Sequence, residues 1–224
     1  SLVCVTNRPE MIENIVSNFK RQIYPNLELI LCLTANNSDY KLAKTQIKDS
    51  RIKLLRVGKS LKLGTCLNKG FGRARGDYIG KFDDDDFYGK NYVSDQMIAF
   101  KYSGADIVGK TSIFMYNGHD ETIYRRYPQS SHKVLNLVLG PTLLMKREVF
   151  DTIKFRDLGL GEDTTFLRDA AEYRYRIYAT DPYNFMYIRR ADSGFHSWNP
   201  EQDELLKGAE KIGKFDNWED LVDI

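Results

Sequence analysis

The sequence lacks the signals of a membrane-spanning, nucleic-acid-binding or disulfide-stabilised secreted protein. No apolar run approaches the roughly 20 residues that are needed to span a bilayer. The net charge is only +2 at pH 7, which gives no global electrostatic attraction to nucleic acid or to a membrane. The three cysteines among 224 residues form neither a CxxC pair nor the Cys/His spacing of a zinc site.

The few cysteines also bear on location. Cys4 and Cys32 lie in apolar, strand-like runs, so we expect buried free thiols. Free thiols favour a reducing compartment. This predicts a cytoplasmic location, or one at the cytoplasmic face of a membrane that is reached through parts outside this chain.

The overall composition is that of an ordinary soluble globular protein, with 42% hydrophobic and 29% charged residues. The length allows a substantial core. The chain starts at Ser1 and enters an apolar strand pattern at once. We therefore expect a single domain, residues 1–224, that is excised from a longer protein.

Strand-like and helix-like patterns alternate through the first hundred residues. The order is β-α-β-α-β-α-β with short connections, which predicts an α/β fold with a mostly parallel central sheet flanked by helices. A GxxxxGK[ST] loop is absent, and no GxGxxG follows the first strand, so neither a P-loop nor a dinucleotide-binding turn is supported. The predicted strands are 2–6, 27–33, 52–57 and 78–82.

The second half has a mixed pattern. Asn117-Gly118 is a strong hairpin signal between two strand-like runs. A Gly-rich turn presents the acids Glu162-Asp163 directly before a helical pattern. The predicted elements include strands at 105–116 and 121–127 and helices at 164–173 and 201–212.

Four consecutive aspartates, Asp83 to Asp86, follow the fourth predicted strand. In open α/β sheets, ligands bind at the carboxyl ends of the strands. Four adjacent carboxylates repel one another unless a cation neutralises them, and Mg²⁺ commonly uses one or two carboxylates together with substrate phosphates. The pattern therefore indicates a metal–diphosphate site, and a solvated acidic loop is the alternative.

Six motifs occur in a specific order along the chain. They are TNRP (6–9), GTCLNKG (64–70), ARGDYI (74–79), FDDDD (82–86), GPTLLMKREVF (140–150) and GEDTTFL (161–167). Together they resemble the family-2 glycosyltransferases of the GT-A fold, in which a run of the type A-x-G-x-Y-I-x-x-x-D-x-D-D precedes the acceptor half. The resemblance covers nearly the whole chain. It implies a GT-A-type, Rossmann-like sheet with a nucleotide-sugar-binding half at 1–100 and a mixed acceptor and catalytic half at 101–224.

The resemblance also implies an activity. Such enzymes move a hexosyl or N-acetylhexosaminyl group from a nucleotide-sugar to an acceptor hydroxyl with inversion, in glycan or polysaccharide synthesis. Asp83 and Asp85 match the DxD motif that holds Mn²⁺ or Mg²⁺ against the donor diphosphate. His196 lies where many members carry a late His that contacts the metal or the diphosphate. Asp163 matches the catalytic base that deprotonates the acceptor hydroxyl, with Glu162 beside it as the alternative base.

The donor site is implied by the same resemblance. Asp84 and Asp86 are expected either to support the metal ligands or to be solvated. Two positions depart from the family: Leu33-Thr34 stands where members usually have an Asp pair that holds the base, and Leu67 stands in place of an Arg. UDP is the usual donor nucleotide and the expectation here, and these departures leave the nucleotide open. The residues implied at the nucleotide-sugar are Thr6, Asn7, Arg8, Asn36, Lys62, Asn68, Asp83 and Asp84.

Three candidate functions differ in the motifs that each would require. An active, metal-dependent glycosyltransferase is favoured because both the metal motif and the acid pair are present. A metal-dependent nucleotidyltransferase would need a Gly-rich, basic loop where Asn7-Arg8-Pro9 stands, and a non-catalytic glycan-binding domain would have lost one of the two motifs. Glu162-Asp163 also suits a helix N-terminus, where the macrodipole favours acids. Trp198 and Tyr88 are expected to stack on an acceptor sugar, with core packing as the alternative.

Overall fold

The computed structural model describes residues 1–192, 198 and 200–224. The described residues form two β-sheets, of eight and five strands, and helices cover both faces of the larger one. The strands are β1 Leu2–Thr6, β2 Leu29–Leu33, β3 Ile52–Arg56, β4 Tyr78–Lys81, β5 Phe87–Tyr88, β6 Ile107–Gly109, β7 Ile113–Asn117, β8 Thr122–Arg126, β9 Lys133–Val134, β10 Leu144–Lys146, β11 Ile177–Ala179, β12 Phe185–Arg189 and β13 Glu210–Gly213. The helices are α1 Ile12–Arg21, α2 Asn37–Gln46, α3 Leu63–Phe71, α4 Tyr92–Ser103, α5 Arg147–Thr152, α6 Glu162–Glu172, α7 Gln202–Leu206 and α8 Glu219–Val222, with 3₁₀ turns at Pro9–Met11 and Gly140–Thr142.

The larger sheet has the strand order β3-β2-β1-β4-β10-β6-β11-β9. The neighbours β3, β2, β1 and β4 are parallel, as the sequence predicts. β10 is antiparallel to both β4 and β6, β11 is parallel to β6, and β9 is antiparallel to β11. The first four strands therefore end at one edge of the sheet, and the loops after Thr6, Leu33 and Lys81 meet there.

Both faces of the larger sheet are buried, which explains why its strands are apolar without alternation. On β2, Leu29, Leu31 and Leu33 pack with residues of α1, α2 and α4. The intervening Ile30 and Cys32 point to the other face, where they pack with α3, α5 and α6. The two helical layers fix the sheet from both sides.

The smaller sheet has the order β13-β8-β7-β12-β5. β7 and β8 form the hairpin that Asn117-Gly118 predicts, and Asn117 pairs with Thr122. β5 follows the aspartates directly and pairs antiparallel with β12. The four aspartates therefore connect β4 of the larger sheet to β5 of the smaller one.

Two predicted elements are wrong in their extent. The strand expected at 105–116 is two strands, β6 and β7, that belong to different sheets. The chain changes sheet at Lys110, which is fully buried and whose Nζ donates to the Asp181 carbonyl at 3.0 Å. The helix expected at 201–212 ends at Leu206, because Gly208 takes a left-handed conformation (φ +69°) and the following residues pair with β8 as β13.

Two other expectations concern cysteines and membrane spans. The three cysteines, Cys4, Cys32 and Cys66, are free and buried, as the sequence predicts. Within the ranges given above, no helix combines the length and the apolarity that crossing a bilayer requires.

Candidate active site at the carboxyl edge of the larger sheet

The predicted donor residues lie at one edge of the larger sheet because β1, β2 and β4 are parallel neighbours. Asn7 and Arg8 follow β1, Asn36 follows β2, and the aspartates follow β4. β1 lies between the other two strands, so Arg8 is adjacent to the acid cluster. The topology thus assembles residues that are up to 80 positions apart in the chain.

Arg8 makes a two-point contact with Asp84. Its Nε donates to Oδ2 at 3.0 Å, and Nη2 donates to Oδ1. Nη2 also lies 3.0 Å from Asp85 Oδ2, and the Thr6 hydroxyl donates to Asp84. Burial would lower the pKa of Arg8, but the two carboxylates raise it above its ordinary value. Arg8 therefore neutralises part of the negative charge of the four aspartates. From the sequence, only a bound cation is expected to do so.

Lys81, the last residue of β4, joins the two acidic motifs. Its buried Nζ lies 3.7 Å from Asp83 Oδ1 and donates to Glu162 Oε1 at 3.2 Å. Burial would lower the pKa of Lys81, but Asp83, Glu162 and Asp163 raise it above its ordinary value. Burial raises the pKa of Asp83 to about 7. The negative charges of Asp85 and Asp84 also raise this pKa, whereas the positive charge of Lys81 lowers it.

Asp84 and Asp86 are buried rather than solvated, with exposed fractions of 5% and 2%. Asp86 Oδ1 accepts a hydrogen bond from the Ile188 backbone at 3.0 Å, and its carbonyl accepts bonds from Asn14 and Asn18 on α1. Asp86 Oδ2 is buried, and none of the described residues forms a hydrogen bond with it. Burial, Asp85 and Asp83 raise the pKa of Asp86 well above its usual range. These contacts tie the acid loop to both α1 and β12, so the two carboxylates support the loop.

Asp163 is the second residue of α6, which begins directly after Gly161, and the left-handed conformation of Gly161 (φ +76°) turns the chain into the helix. Its Oδ1 accepts a hydrogen bond from the Thr164 backbone at 2.6 Å. Its Oδ2 occupies the space beside Gly140, where a Cβ would lie only 1.7 Å away. Glu162 beside it is buried, with 3% exposed, and is paired with Lys81.

Tyr88 does not present its ring to a sugar, because it is fully buried and stacks on Phe82 with ring centroids 3.9 Å apart. The sequence leaves sugar stacking and core packing open for Tyr88, and core packing is observed. Its hydroxyl accepts a hydrogen bond from the Asp83 backbone at 2.8 Å and donates to the Pro141 carbonyl at 2.9 Å. Tyr88 thus connects the acid loop to the turn that packs against Asp163.

The remaining donor residues have unequal surroundings. Asn7 and Lys62 are exposed, and Asn36 is exposed while its side chain caps α2 by accepting from Asp39 N at 2.9 Å. The amide of Asn68 bonds both backbone groups of Phe155, at 2.8 and 3.0 Å. Asn68 therefore holds α3 to the segment after α5.

The two late aromatic and histidine predictions fall near the end of β12. Trp198 is 39% exposed and lies against the guanidinium groups of Arg126 and Arg189, at 5.6 and 6.0 Å from its ring centroid. His196 lies outside the described residues. Arg190 donates to the Asp85 carbonyl at 3.4 Å, so the chain directly after β12 contacts the acid loop.

Sequence reasoning missed Lys81 and Gly140 as parts of the site, and it gave Tyr88 a place at the acceptor sugar where the structure shows contacts to the acid loop and to Pro141. A lysine that ends an otherwise apolar, buried strand and directly precedes four acids is a signal that could have identified Lys81. The roles of Gly140 and Tyr88 depend on contacts with distant segments. Nothing in the local sequence shows those contacts.

The residues present suit a hard divalent cation that arrives with phosphate ligands. Among the described residues, no three Asp, Glu, His or Cys side chains converge as a complete ligand set. Asp83 and Asp85 offer carboxylates on side chains that are 33% and 15% exposed. Since Mg²⁺ usually takes one or two carboxylates and completes its shell with water and substrate phosphates, two protein carboxylates are sufficient.

Comparisons with known proteins place this site in context. The family model described as Glycosyl transferase family 2 matches residues 2–159. Comparison with curated proteins gives no match. The structure of residues 1–349 of S. aureus TarS in complex with UDP-GlcNAc is similar, with a TM-score of 0.68 and 17% identity over 92% of this chain and 63% of that chain.

A second similar structure is the mannosyltransferase PcManGT from Pyrobaculum calidifontis in complex with GDP-Man and Mn²⁺. Its TM-score is 0.67, with 16% identity over 88% of this chain and 58% of that chain. The chain thus spans less than two thirds of the length of either structure. Similarity at this level of identity shows the shared fold. The chain belongs to glycosyl transferase family 2 and has the GT-A fold.

Proposed function

We propose that this chain is the catalytic domain of a metal-dependent, inverting glycosyltransferase that acts in glycan or polysaccharide synthesis. The observation that supports this best is the position of Lys81, whose Nζ contacts Asp83 on one side and Glu162 on the other. The acid loop that would hold the donor and the acid pair that would supply the base therefore lie in one site. Residues 1–100 form the donor half and residues 101–224 the acceptor half.

The donor in this proposal is a nucleotide-sugar, with UDP as the nucleotide and a hexosyl or N-acetylhexosaminyl group to be transferred. Structures of similar fold contain UDP-GlcNAc, UDP or GDP-Man, which supports the donor class. Asn7, Asn36 and Lys62 are exposed at the edge where β1, β2 and β3 end, so their side chains are available to a nucleotide. In this proposal the buried Thr6 and Asp84 and the half-buried Arg8 support the donor site from below, and Asn68 shapes it through α3.

Asp83 and Asp85 would hold Mn²⁺ or Mg²⁺ in this proposal, and the Mn²⁺ in the PcManGT structure supports a divalent cation. The cation would neutralise the charge that develops on the departing diphosphate. Arg8 and Lys81 keep the neighbouring carboxylates paired, so Asp83 and Asp85 remain oriented when no cation is bound. His196 completes the proposed ligands.

Asp163 is the proposed base. Its carboxylate accepts the proton of the acceptor hydroxyl, and the hydroxyl oxygen forms a bond to the anomeric carbon on the face opposite the diphosphate. The bond from the anomeric carbon to the diphosphate oxygen breaks, the electron pair leaves with the nucleoside diphosphate, and the configuration inverts. Glu162 is engaged by buried Lys81, which favours Asp163 as the group that is free to take the proton. Trp198 is the described aromatic residue that could contact the acceptor, a glycan or another hydroxyl-bearing molecule.

Two variants test the separate roles of the acid motifs. Asp85→Ala should lose the Mn²⁺-dependent binding of UDP in calorimetry, because one of the two proposed carboxylate ligands is removed. Asp163→Asn should bind UDP and Mn²⁺ as the wild type does, but release of UDP in the presence of an acceptor should fall by about 10²-fold or more. Full turnover of Asp163→Asn would move the base to another residue, and unchanged Mn²⁺ dependence in Asp85→Ala would remove the metal assignment.

We also propose that the domain works in the cytoplasm. The three buried free thiols support a reducing environment.

A further inference from the structure

The positive charge of this chain is concentrated in one short region. Residues 37–62, which span α2, β3 and the loop after it, contain eight lysines and arginines and two aspartates. Their formal charge is +6, whereas the whole chain carries +2, so the rest of the chain carries −4. The near-neutral total therefore conceals a strong local asymmetry.

This region lies at an outer edge of the larger sheet. Among the described strands, β3 is terminal in this sheet and pairs with β2 alone. Lys41 and Lys44 are exposed on α2 at a spacing that puts them on one side of the helix. Lys48 is exposed just after α2 ends and lines the same groove as Lys44. Lys59 and Lys62 continue the charge toward the edge where the aspartates lie. We refer to these five lysines as the basic edge.

The basic edge is not neutralised by the protein. Within the part of the chain that the structure describes, none of its five lysines has an ion-pair partner. The two acids of the region are already engaged or distant: Asp49 pairs with Arg51, and Asp39 lies at the N-terminus of α2. Because unpaired cationic side chains on one surface repel one another, an anionic surface that approaches them is attracted.

A groove of about 410 Å³ opens inside the basic edge, between α2 and the start of β3. Lys44, Lys48 and Ser50 line it together with Asp49, whose charge is paired with Arg51. Ile47 and Leu54 add apolar side chains to the lining. A concave site with ammonium groups, a hydroxyl and apolar side chains matches an amphipathic anion. A phosphate headgroup with its glycerol backbone has this chemistry.

An exposed apolar side chain on the same helix favours a bilayer over a soluble polyanion. Leu42 is 55% exposed on α2, between Lys41 and Lys44 in sequence. A polyanion gains nothing from an exposed leucine, whereas a bilayer interface accepts it below the headgroups. The positive charges of the edge are mainly lysines, which suit diffuse attraction to many phosphates rather than two-point recognition of one.

We propose that the basic edge binds the surface of a membrane that contains anionic phospholipids, with α2 lying against the headgroups. The interaction is peripheral and depends on salt, because it rests on screened charge and one exposed apolar side chain. It does not depend on the transferase activity. Its place beside β3 leaves the aspartate loop, which follows β4, open to donor and acceptor.

The test is co-sedimentation of the whole chain with vesicles. Wild-type protein should bind vesicles of mixed phosphatidylglycerol and phosphatidylcholine, bind pure phosphatidylcholine vesicles weakly, and dissociate as salt is raised. Each lysine near the surface contributes about a fivefold factor to partitioning, so the triple variant Lys41→Gln/Lys44→Gln/Lys48→Gln should bind about 100-fold more weakly. Leu42→Ser should weaken binding to vesicles without changing the net charge.

The matched control is Lys101→Gln/Lys207→Gln/Lys211→Gln, which removes the same charge from exposed positions outside the basic edge. It should keep most of the binding. The proposal is overturned if wild-type protein does not sediment with the anionic vesicles, or if the control variant loses binding as much as the triple variant does. It is also overturned if soluble polyphosphate is bound as tightly as vesicles and Leu42→Ser has no effect, since the partner would then be a polyanion.

Discussion

Asp83 is the residue whose protonation links stability to ligand binding. Burial raises its pKa to about 7, whereas an ordinary aspartate titrates near about 4. The folded state therefore binds this proton more tightly than the unfolded state does. In the free protein, the contribution of Asp83 to the free energy of unfolding should consequently decrease as the pH rises from about 4 to about 7.

Cation binding should have the opposite pH dependence at the same residue. Because a carboxylate must lose its proton to coordinate a cation, Mn²⁺ affinity in the presence of UDP should rise about tenfold per pH unit up to about pH 7 and then level off. Calorimetric titration of Mn²⁺ between about pH 5.5 and 8 measures this profile. The variant Asp83→Asn should bind weakly with a flat profile, and a pH-independent affinity in the wild type would contradict the role of Asp83.

At the scale of elements, the 3₁₀ turn at Gly140–Thr142 packs against the start of α6. A Cβ at Gly140 would lie 1.7 Å from Asp163 Oδ2 and 3.0 Å from Asp163 Cβ. Gly140→Ala should therefore push the whole Asp163 side chain aside and leave the backbone in place. A displacement of about 1 Å can cost about 10²-fold in rate, so transfer should fall by this order while UDP binding is kept.

The control for Gly140→Ala is Gly159→Ala, because a Cβ there meets no atom within 4 Å. Steady-state kinetics and UDP calorimetry on both variants separate positioning from folding. Equal turnover of Gly140→Ala and wild type would show that Asp163 does not need its present position.

The packing of α3 on the sheet depends on a second glycine. A Cβ at Gly70 would lie 2.4 Å from Val3 Cγ1 and 2.9 Å from Cys32 Sγ, both in the core. Gly70→Ala should gain up to about 1 kcal/mol in helix propensity but lose about 1–3 kcal/mol by overpacking. We expect a lower free energy of unfolding in urea, with Gly58→Ala as a control whose Cβ makes only ordinary contacts. A more stable Gly70→Ala protein would show that β1 and β2 can yield at this point.

At the scale of the whole molecule, the site lies where the two sheets meet. β4 and β10 belong to the larger sheet, β5 and β12 belong to the smaller one, and the acid loop passes between them. A donor bound there contacts groups that are fixed by both sheets. It should therefore stabilise the whole chain against unfolding.

Thermal unfolding with UDP or GDP, with and without Mn²⁺, measures this stabilisation. A ligand at about 100 times its Kd adds about 2.7 kcal/mol, which corresponds to a rise in Tm of about 5–10 °C for a domain of this size. We expect the rise with UDP and Mn²⁺ together and little with either alone. A larger rise in Tm with GDP would indicate GDP rather than UDP as the donor nucleotide. No rise with either nucleotide would contradict the donor site.

The sequence by itself determined the first four strands, the helices between them and the acid loop after β4. These features depend on local periodicity and on burial of both faces of the sheet, which leave a direct pattern in the chain. It also predicted the hairpin at Asn117-Gly118, because that turn requires residues that tolerate its backbone. It did not separate β6 from β7, since both are apolar and the change of sheet occurs at Lys110.

Only the tertiary structure decided how the acids are neutralised and which of them are available. Arg8 pairs with Asp84 and Asp85, and Lys81 lies between Asp83 and Glu162. The pairs of Arg8 and the Lys81–Glu162 pair join segments that are about 80 residues apart, and charge pairing over such separations leaves no local pattern in a single sequence. The role of the buried Tyr88 is likewise set by contacts with residues that are distant in the sequence, such as Pro141. The local sequence pattern thus predicted where the candidate site forms, after the fourth strand. Packing between distant segments determined which of its carboxylates are paired and which are available to a ligand.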